Sequence, residues 1–136
     1  MSGSRRLRAR CLASLAVMAV GDGIDQPLTP DPGDAARGLA VVTRQSSTCT
    51  LCHAGPFPNP HLQGDVGPDL RGVGARLSPA QLRLRLVQAS RLNPATVMPD
   101  FYRTEGLTRV GPAWRGKPAL GAQEIEDAVA YLSSLK

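Results

Sequence analysis

Two cysteines and a histidine stand at a spacing suited to covalent cofactor attachment. The segment Cys49-Thr50-Leu51-Cys52-His53 has the pattern C-x-x-C-H, the attachment signature of a c-type haem. Residues i and i+3 of one helical turn share a face, so both thiols can bond to the two vinyl groups of one porphyrin. His53 follows directly and can bind the iron as the proximal ligand. The motif predicts one covalently attached haem c.

Two other kinds of site also use cysteine pairs. A thioredoxin-like redox dithiol would need a strand before a helix in a βαβ unit, and no such pattern surrounds Cys49. A zinc site would need a second pair of ligands, for which only His61 is available near the motif. Haem attachment is the favoured interpretation, and the dithiol and the zinc site remain alternatives.

Met98 is the candidate for the distal iron ligand. It lies in the loop 93–99, which is bracketed by Pro94 and Pro99 and therefore cannot form a regular helix. Paired His and Met ligands raise the reduction potential and suit electron transfer. Met98 could instead fill a gap in the core. The rival ligand, His61, is too near His53 along the chain to reach the other face of the iron, and we expect it in a surface loop.

Pro68 is expected to orient the proximal histidine. A metal-bound histidine usually donates its second ring N–H to a carbonyl or carboxylate group. The loop Gly67-Pro68-Asp69-Leu70 follows the haem motif, and its proline could hold the Pro68 carbonyl in place for His53. The same residues could also form an ordinary turn followed by a helix cap at Asp69.

The elements that must position these residues are predicted to be helices. Asp34 can cap a helix that ends near Thr43, and Gly38 within it would permit close packing against another helix. Ser78, Pro79 and Gln81 mark the start of a helix over 79–92, although residues 82–86 alternate like a strand. Apolar residues at helical spacing predict a last helix over 122–135. Loops fill 54–68 and 94–121, with one helical turn expected near 101–105. The fold class is therefore small, all-α and loop-rich.

The first residues have the anatomy of an export signal. A basic stretch at 5–10 precedes an apolar stretch at 11–20, which is too short to span a bilayer. We expect a signal peptide at 1–19, a flexible Gly/Asp/Pro-rich lead-in at 20–33 and one haem domain at 34–136. Export would place the protein in the oxidising compartment that haem attachment needs, and would leave Cys49 and Cys52 as its only cysteines.

The net charge of the whole chain does not identify the kind of partner, because most of it belongs to the first residues. The 16 Lys and Arg residues against 11 Asp and Glu give a net charge of +5, which would suit a nucleic-acid or membrane binder. Without residues 1–19, however, 12 basic residues face 11 acidic ones, a net charge of +1. We therefore expect no nucleic-acid partner and no membrane span. Residues 71–117 hold nine basic and two acidic residues. These arginines would be solvated or paired with haem propionates, or they would form a basic surface near Met98 for an acidic partner.

Aromatic residues make up only 4% of the chain. A core with so few rings is thin, and a haem would supply the missing apolar surface.

The motifs together resemble those of a class I cytochrome c over about residues 34–136. Longer segments resemble the SoxX family, the monohaem subunits of SoxAX cytochrome complexes in bacterial thiosulfate oxidation. These segments are 72–76, 82–87, 91–103, 106–110, 116–118 and 122–127. The chain departs from the expected pattern at Ser47-Thr48, where Gly-Asn is expected, and at Gly121, where Ser or Thr would cap the last helix.

The resemblance implies a function and a set of partners. It assigns thioether bonds to Cys49 and Cys52, proximal ligation to His53 and distal ligation to Met98. It implies a periplasmic heterodimer with a SoxA-type subunit, in a complex that oxidatively joins thiosulfate to a cysteine of the SoxYZ carrier protein. In such an L-cysteine S-thiosulfotransferase-type complex the catalytic haem lies in SoxA, and this chain would pass the electrons to a downstream acceptor. The alternatives are a general soluble class I cytochrome c and, in another class, a haem-based sensor or a structural haem subunit.

Overall fold

The part of the chain that the structure describes contains five α-helices. They are α1 (Ala35–Thr43), α2 (Cys49–Cys52), α3 (Val73–Arg76), α4 (Pro79–Gln88) and α5 (Ala122–Ser134). The structure is a computed structural model that describes residues 23–136, and these residues contain no strand. The predicted signal peptide, residues 1–19, lies outside the described residues.

The helices α1 and α5 form the most extensive contact between two elements. The carboxylate of Asp34 caps α1 by accepting a hydrogen bond from the backbone N–H of Arg37 at 2.8 Å. A Cβ atom at Gly38 would collide with the backbone carbonyl of Asp127 in α5. The close helix packing predicted at Gly38 is therefore present, and only glycine permits it.

The alternating segment at 82–86 is helical. Ser78 and Gln81 form the predicted capping box, and α4 continues from Pro79 to Gln88 before a 3-10 turn at Ala89–Arg91. Leu82, Arg83, Leu84 and Leu86 are all buried. Because the rest of the fold covers α4 on most of its circumference, Arg83 is buried as well as the leucines. The alternation of leucine and arginine in this segment therefore does not indicate a strand with one buried face.

Two parts of the chain differ from the predictions made for the loops. The short helix α3 begins after Gly72 and not at the possible cap Asp69, and the helical turn expected near 101–105 is limited to a single turn at 101–102, in which the Arg103 N–H donates to the Asp100 carbonyl at 3.3 Å. The 3-10 turns Pro60–Leu62 and Pro112–Trp114 lie within the predicted loops. Each of these elements is only three or four residues long, too short to leave a periodic pattern in the sequence.

Residues 23–33, the described part of the predicted lead-in, lie along α4 and α5. The Ile24 N–H donates to the carbonyl of Ala80 at 2.9 Å, and the Leu28 N–H donates to the carboxylate of Glu126 at 2.9 Å. Arg83 in turn donates to the Ile24 carbonyl at 2.6 Å. These bonds join the segment to the helical domain.

The Arg83–Glu126 ion pair beneath this segment is buried. The two side chains are 6% and 5% exposed, and two hydrogen bonds of 2.7 and 2.8 Å join them. Burial would raise the pKa of Glu126, but the hydrogen bonds from Arg83 and from the Leu28 N–H outweigh it and leave that pKa below its ordinary value. The pair therefore stays charged inside the fold.

The core lies between α1, α4 and α5. Its largest fully buried apolar side chains are those of Val42, Leu84, Leu120 and Ile125. Trp114 stays out of the core and is 58% exposed. Within residues 23–136, no helix has the length and hydropathy needed to cross a membrane.

Candidate functional site

A largely apolar cavity lies at the centre of the domain. Its volume is about 430 Å³, within the range of ~300–1,000 Å³ for small-molecule and cofactor sites. All five helices contribute to its walls. Four residues predicted from the sequence to serve haem attachment or ligation line it together, namely Cys49, Cys52, His53 and Met98.

The two cysteines lie at the ends of the single-turn helix α2. The residue before it, Thr48, has φ +61°, a left-handed conformation that is unfavourable for a β-branched side chain. Ser47 is completely buried, and its hydroxyl lies 2.6 Å from the Val41 carbonyl and 2.8 Å from the Arg44 carbonyl. The Ser47-Thr48 junction therefore connects the end of α1 to the motif through a buried hydrogen bond and a strained residue.

Both thiols are free in this structure. Burial raises the pKa of the Cys49 thiol above its ordinary value. A protonated, half-buried thiol in apolar surroundings is a poor nucleophile, which does not suit a redox-active dithiol. The strand that a thioredoxin-like site requires is also absent from residues 23–136.

His53 is held by the loop that follows the motif. Its ring Nδ1 lies 2.7 Å from the carbonyl oxygen of Pro68, and because a carbonyl only accepts, the ring nitrogen is the donor. The backbone N–H of Gly67 donates to the Cys52 carbonyl at 2.7 Å, which ties the loop to α2. With Nδ1 carrying the proton, the lone pair of His53 is on Nε2.

Gly67 has a role that sequence reasoning missed. A Cβ atom on this residue would lie 2.6 Å from Nδ1 and 2.9 Å from Nε2 of His53, closer than side chains approach one another. The imidazole ring therefore packs flat against the Gly67 backbone. The position of Gly67 next to Pro68 was visible in the sequence, but nothing there indicated which ring it would face.

Met98 reaches the cavity from the loop between α4 and the 3-10 turn at 112–114. Its backbone N–H donates to the Thr96 hydroxyl at 3.1 Å, and the Ala95 N–H donates to the Asn93 side chain at 3.0 Å. The Phe101 N–H then ties the loop to the Leu86 carbonyl of α4 at 3.0 Å. His61, the rival ligand, is exposed in the 3-10 turn 60–62 and does not line the cavity.

One guanidinium group is part of the cavity wall. Leu82, Arg85 and Leu86 of α4 line the cavity together with Ala89 of the following 3-10 turn, so Arg85 interrupts an otherwise apolar stripe. Its Nη1 donates to the Gln81 carbonyl at 3.0 Å, and it forms no ion pair with any residue from 23 to 136. The cavity therefore combines apolar walls with a single cation that lacks an anionic partner.

These features fit a haem. The apolar walls suit a macrocycle, Cys49 and Cys52 offer two thiols on one helical turn, and His53 and Met98 offer a nitrogen and a thioether as axial ligands. The Pro68 carbonyl supplies the support that a metal-bound imidazole usually has. No three His, Cys, Asp or Glu side chains converge to hold a bare metal ion in the described part of the chain.

Comparison with known proteins relates the chain to a solved structure. No protein-family profile matches the chain, and no curated protein matches it either. A solved structure does: SoxXA from P. pantotrophus is 35% identical, covers 85% of this chain and 90% of its own, and superposes with a TM-score of 0.76. Identity at this level over nearly the whole of both chains shows common descent as well as a common fold. The chain belongs to the SoxX family of cytochromes and has the small all-α fold of a class I cytochrome c.

Proposed function

We propose that this protein is a periplasmic monohaem cytochrome c that transfers electrons in thiosulfate oxidation as the SoxX subunit of a SoxAX-type complex. The observation that carries the proposal is that Cys49, Cys52, His53 and Met98 line one apolar cavity. In this proposal residues 1–19 are a signal peptide, residues 20–33 a lead-in and residues 34–136 the cytochrome domain.

Each site residue has one task in holding the haem. Cys49 and Cys52 would form the thioether bonds, and His53 would offer Nε2 to the iron, because the Pro68 carbonyl accepts a hydrogen bond from the proton-bearing Nδ1. Met98 supplies the distal thioether, which favours the reduced state. When bound, the haem supplies a metal centre that takes up and releases one electron.

The remaining cavity residues adjust the surroundings of the cofactor. The apolar walls limit the access of water, which favours the less charged, reduced state of the centre. Arg85, the single cation on the cavity wall, would pair with a propionate carboxylate of the haem. In the mature protein of this proposal both cysteines are committed to the haem, so no thiol remains for sulfur transfer. The chain would therefore pass on electrons while the SoxA-type subunit carries out the chemistry on SoxYZ.

The haem assignment is tested by expressing the full chain in a host that matures c-type cytochromes. We expect covalently attached haem and a six-coordinate His/Met spectrum. Met98→Ala should abolish the sulfur-to-iron charge-transfer absorption and lower the reduction potential. Leu62→Ala, which truncates an exposed side chain that does not line the cavity, should leave both unchanged. A Met98→Ala spectrum identical to the wild type would refute the assigned ligand.

The assignment to thiosulfate oxidation needs a second experiment. The holoprotein should co-purify with a SoxA-type subunit, and its haem should be reduced by thiosulfate only when that subunit and SoxYZ are present. Equal reduction without the partner would favour a general soluble cytochrome c. Ready binding of carbon monoxide by the wild-type iron would instead favour a haem-based sensor.

A further inference from the structure

A second concave surface lies beside the central cavity and shares a wall with it. This surface, which we call the Trp114 groove, has a volume of about 440 Å³ and is lined mainly by Met98, Leu107, Val110, Trp114 and Lys117. Asp100 and Arg103 also line it, but they pair with each other at 3.8 Å, so Lys117 is the cation of the lining without a partner among residues 23–136. Met98 and Thr96 line both the groove and the cavity. A molecule in the groove would therefore contact the loop that carries the proposed distal ligand.

Large apolar side chains are exposed in the groove instead of being buried in the core. Trp114 is 58% exposed and Leu107 is 45% exposed, although this chain has few aromatic residues with which to build a core. Tryptophan, methionine and arginine are enriched in protein interfaces, and tryptophan is prominent among the residues that dominate binding energy. The composition of the groove and its rim is therefore that of a protein-binding surface.

The charges around the groove favour one kind of partner. Residues 91–117 carry five basic and two acidic residues, a net charge of +3, whereas the rest of the described chain carries seven basic and eight acidic residues. The cations Arg91, Arg109, Arg115 and Lys117 are exposed and form no ion pair with any described residue.

Four of the six arginines elsewhere in the described chain are compensated by a carboxylate, whereas within 91–117 only Arg103 is, through Asp100. Arg37, Arg44, Arg71 and Arg83 each pair with an aspartate or glutamate. The uncompensated positive charge around the groove is therefore available to an acidic surface on another molecule.

We propose that the Trp114 groove docks an acidic surface of the partner cytochrome subunit, with an apolar side chain of that partner against Trp114 and its carboxylates facing Arg115 and Lys117. This inference rests on the proposed function, which supplies a redox partner. Because Met98 forms part of the groove, the docked subunit would sit one side chain from the cavity, and electrons would cross by a short path.

The test measures binding of the SoxA-type subunit to the haem-loaded protein. Trp114→Ser and Leu107→Ser should each weaken binding at least tenfold. Lys117→Glu should slow association several-fold and reduce its dependence on salt, since charges at an interface rim act mainly on the association rate. Leu62→Ser and Lys136→Glu are matched controls, because both residues are exposed and lie outside the groove. An unchanged haem spectrum in every variant would show that the fold is intact.

The possible results separate this inference from the proposed function. Wild-type binding that the groove variants leave unaltered would overturn the docking site and leave the proposed function standing. Equal losses in the groove variants and in the controls would also overturn it. If the wild type does not bind the subunit, the proposed function fails and the docking proposal fails with it.

Discussion

Replacing Gly67 with alanine should shift the reduction potential of the proposed haem without replacing either proposed iron ligand. The added Cβ would lie 2.6 Å from Nδ1 of His53, whereas ordinary van der Waals contact begins at 3.4 Å. The ring, whose Cε1 would be closer still, must therefore move by at least about 0.8 Å, and we expect this movement to weaken its 2.7 Å hydrogen bond to the Pro68 carbonyl. Since φ of Gly67 is not in the left-handed region, the substitution acts through this collision and not through backbone strain.

The expected size follows from what the hydrogen bond does for the ligand. Donation to Pro68 would make the imidazole a stronger electron donor and so would stabilise the oxidised iron of a haem bound as proposed. Loss of such a supporting partner typically costs 10- to 100-fold in metal affinity. If that loss falls on the oxidised state, the potential rises by about 60 to 120 mV, at 59 mV per factor of ten for one electron.

The assay is a redox titration of the haem absorption in the purified holoprotein. Gly111→Ala is the matched control, because a Cβ there meets nothing within 4 Å and its φ is ordinary. We expect the control to match the wild type. A Gly67→Ala protein with attached haem and an unchanged potential would show that the ring does not depend on Pro68, and the reasoning from the close contact would be refuted.

Three further predictions concern stability, each measured by chemical or thermal unfolding of the holoprotein. Glu126→Gln should lower the free energy of unfolding by about 3–5 kcal/mol, because it leaves the guanidinium of Arg83 buried without its anion; an effect no larger than that of the exposed Glu105→Gln would contradict the burial of the pair. The hydrogen bonds from Arg37 lower the pKa of Asp127 to about 2, so this group contributes about 2 kcal/mol above pH 4 that is lost as the pH falls toward 2. Asp127→Asn should flatten the dependence of stability on pH in that window, and an unchanged slope would refute the assignment. Thr48→Asn should raise stability by about 1 kcal/mol, because asparagine tolerates the left-handed conformation better; a loss of stability would mean that the threonine side chain makes a contact worth more than its strain.

The sequence predicted the helices whose starts carry chemical signals. Asp34 and the Ser78–Gln81 capping box marked α1 and α4 correctly, and the apolar periodicity marked α5. The alternation at 82–86 was ambiguous because period alone cannot distinguish a strand from a helix buried on several sides. The capping box of Ser78 and Gln81 correctly predicted a helix, because a cap depends on particular side chains and not on the average environment of the segment.

What the sequence could not supply was the set of contacts between distant segments. The C-x-x-C-H motif drew attention to the cofactor, but the packing of Gly67 on His53 and the burial of Arg83 with Glu126 depend on tertiary structure. Trp114 is a further case, since a lone tryptophan is ordinarily expected in the core. The groove that Trp114 lines could be recognised only from the exposure of this side chain in the structure.

The hydrogen bonds of residues 23–33 have a consequence for the order of folding. Leu28 and Glu126 are 98 positions apart along the chain, and Gly38 packs on α5 across a similar separation. Contacts between such remote positions form late, because the entropy of closing a long loop must be overcome first. The N-terminal segment and α1 cannot form their native contacts until α5 is present, and α5 likewise depends on them. An N-terminal fragment that ends before α5 would therefore lack the packing partner of both Leu28 and Gly38, and we expect it to remain unfolded until α5 has been synthesised.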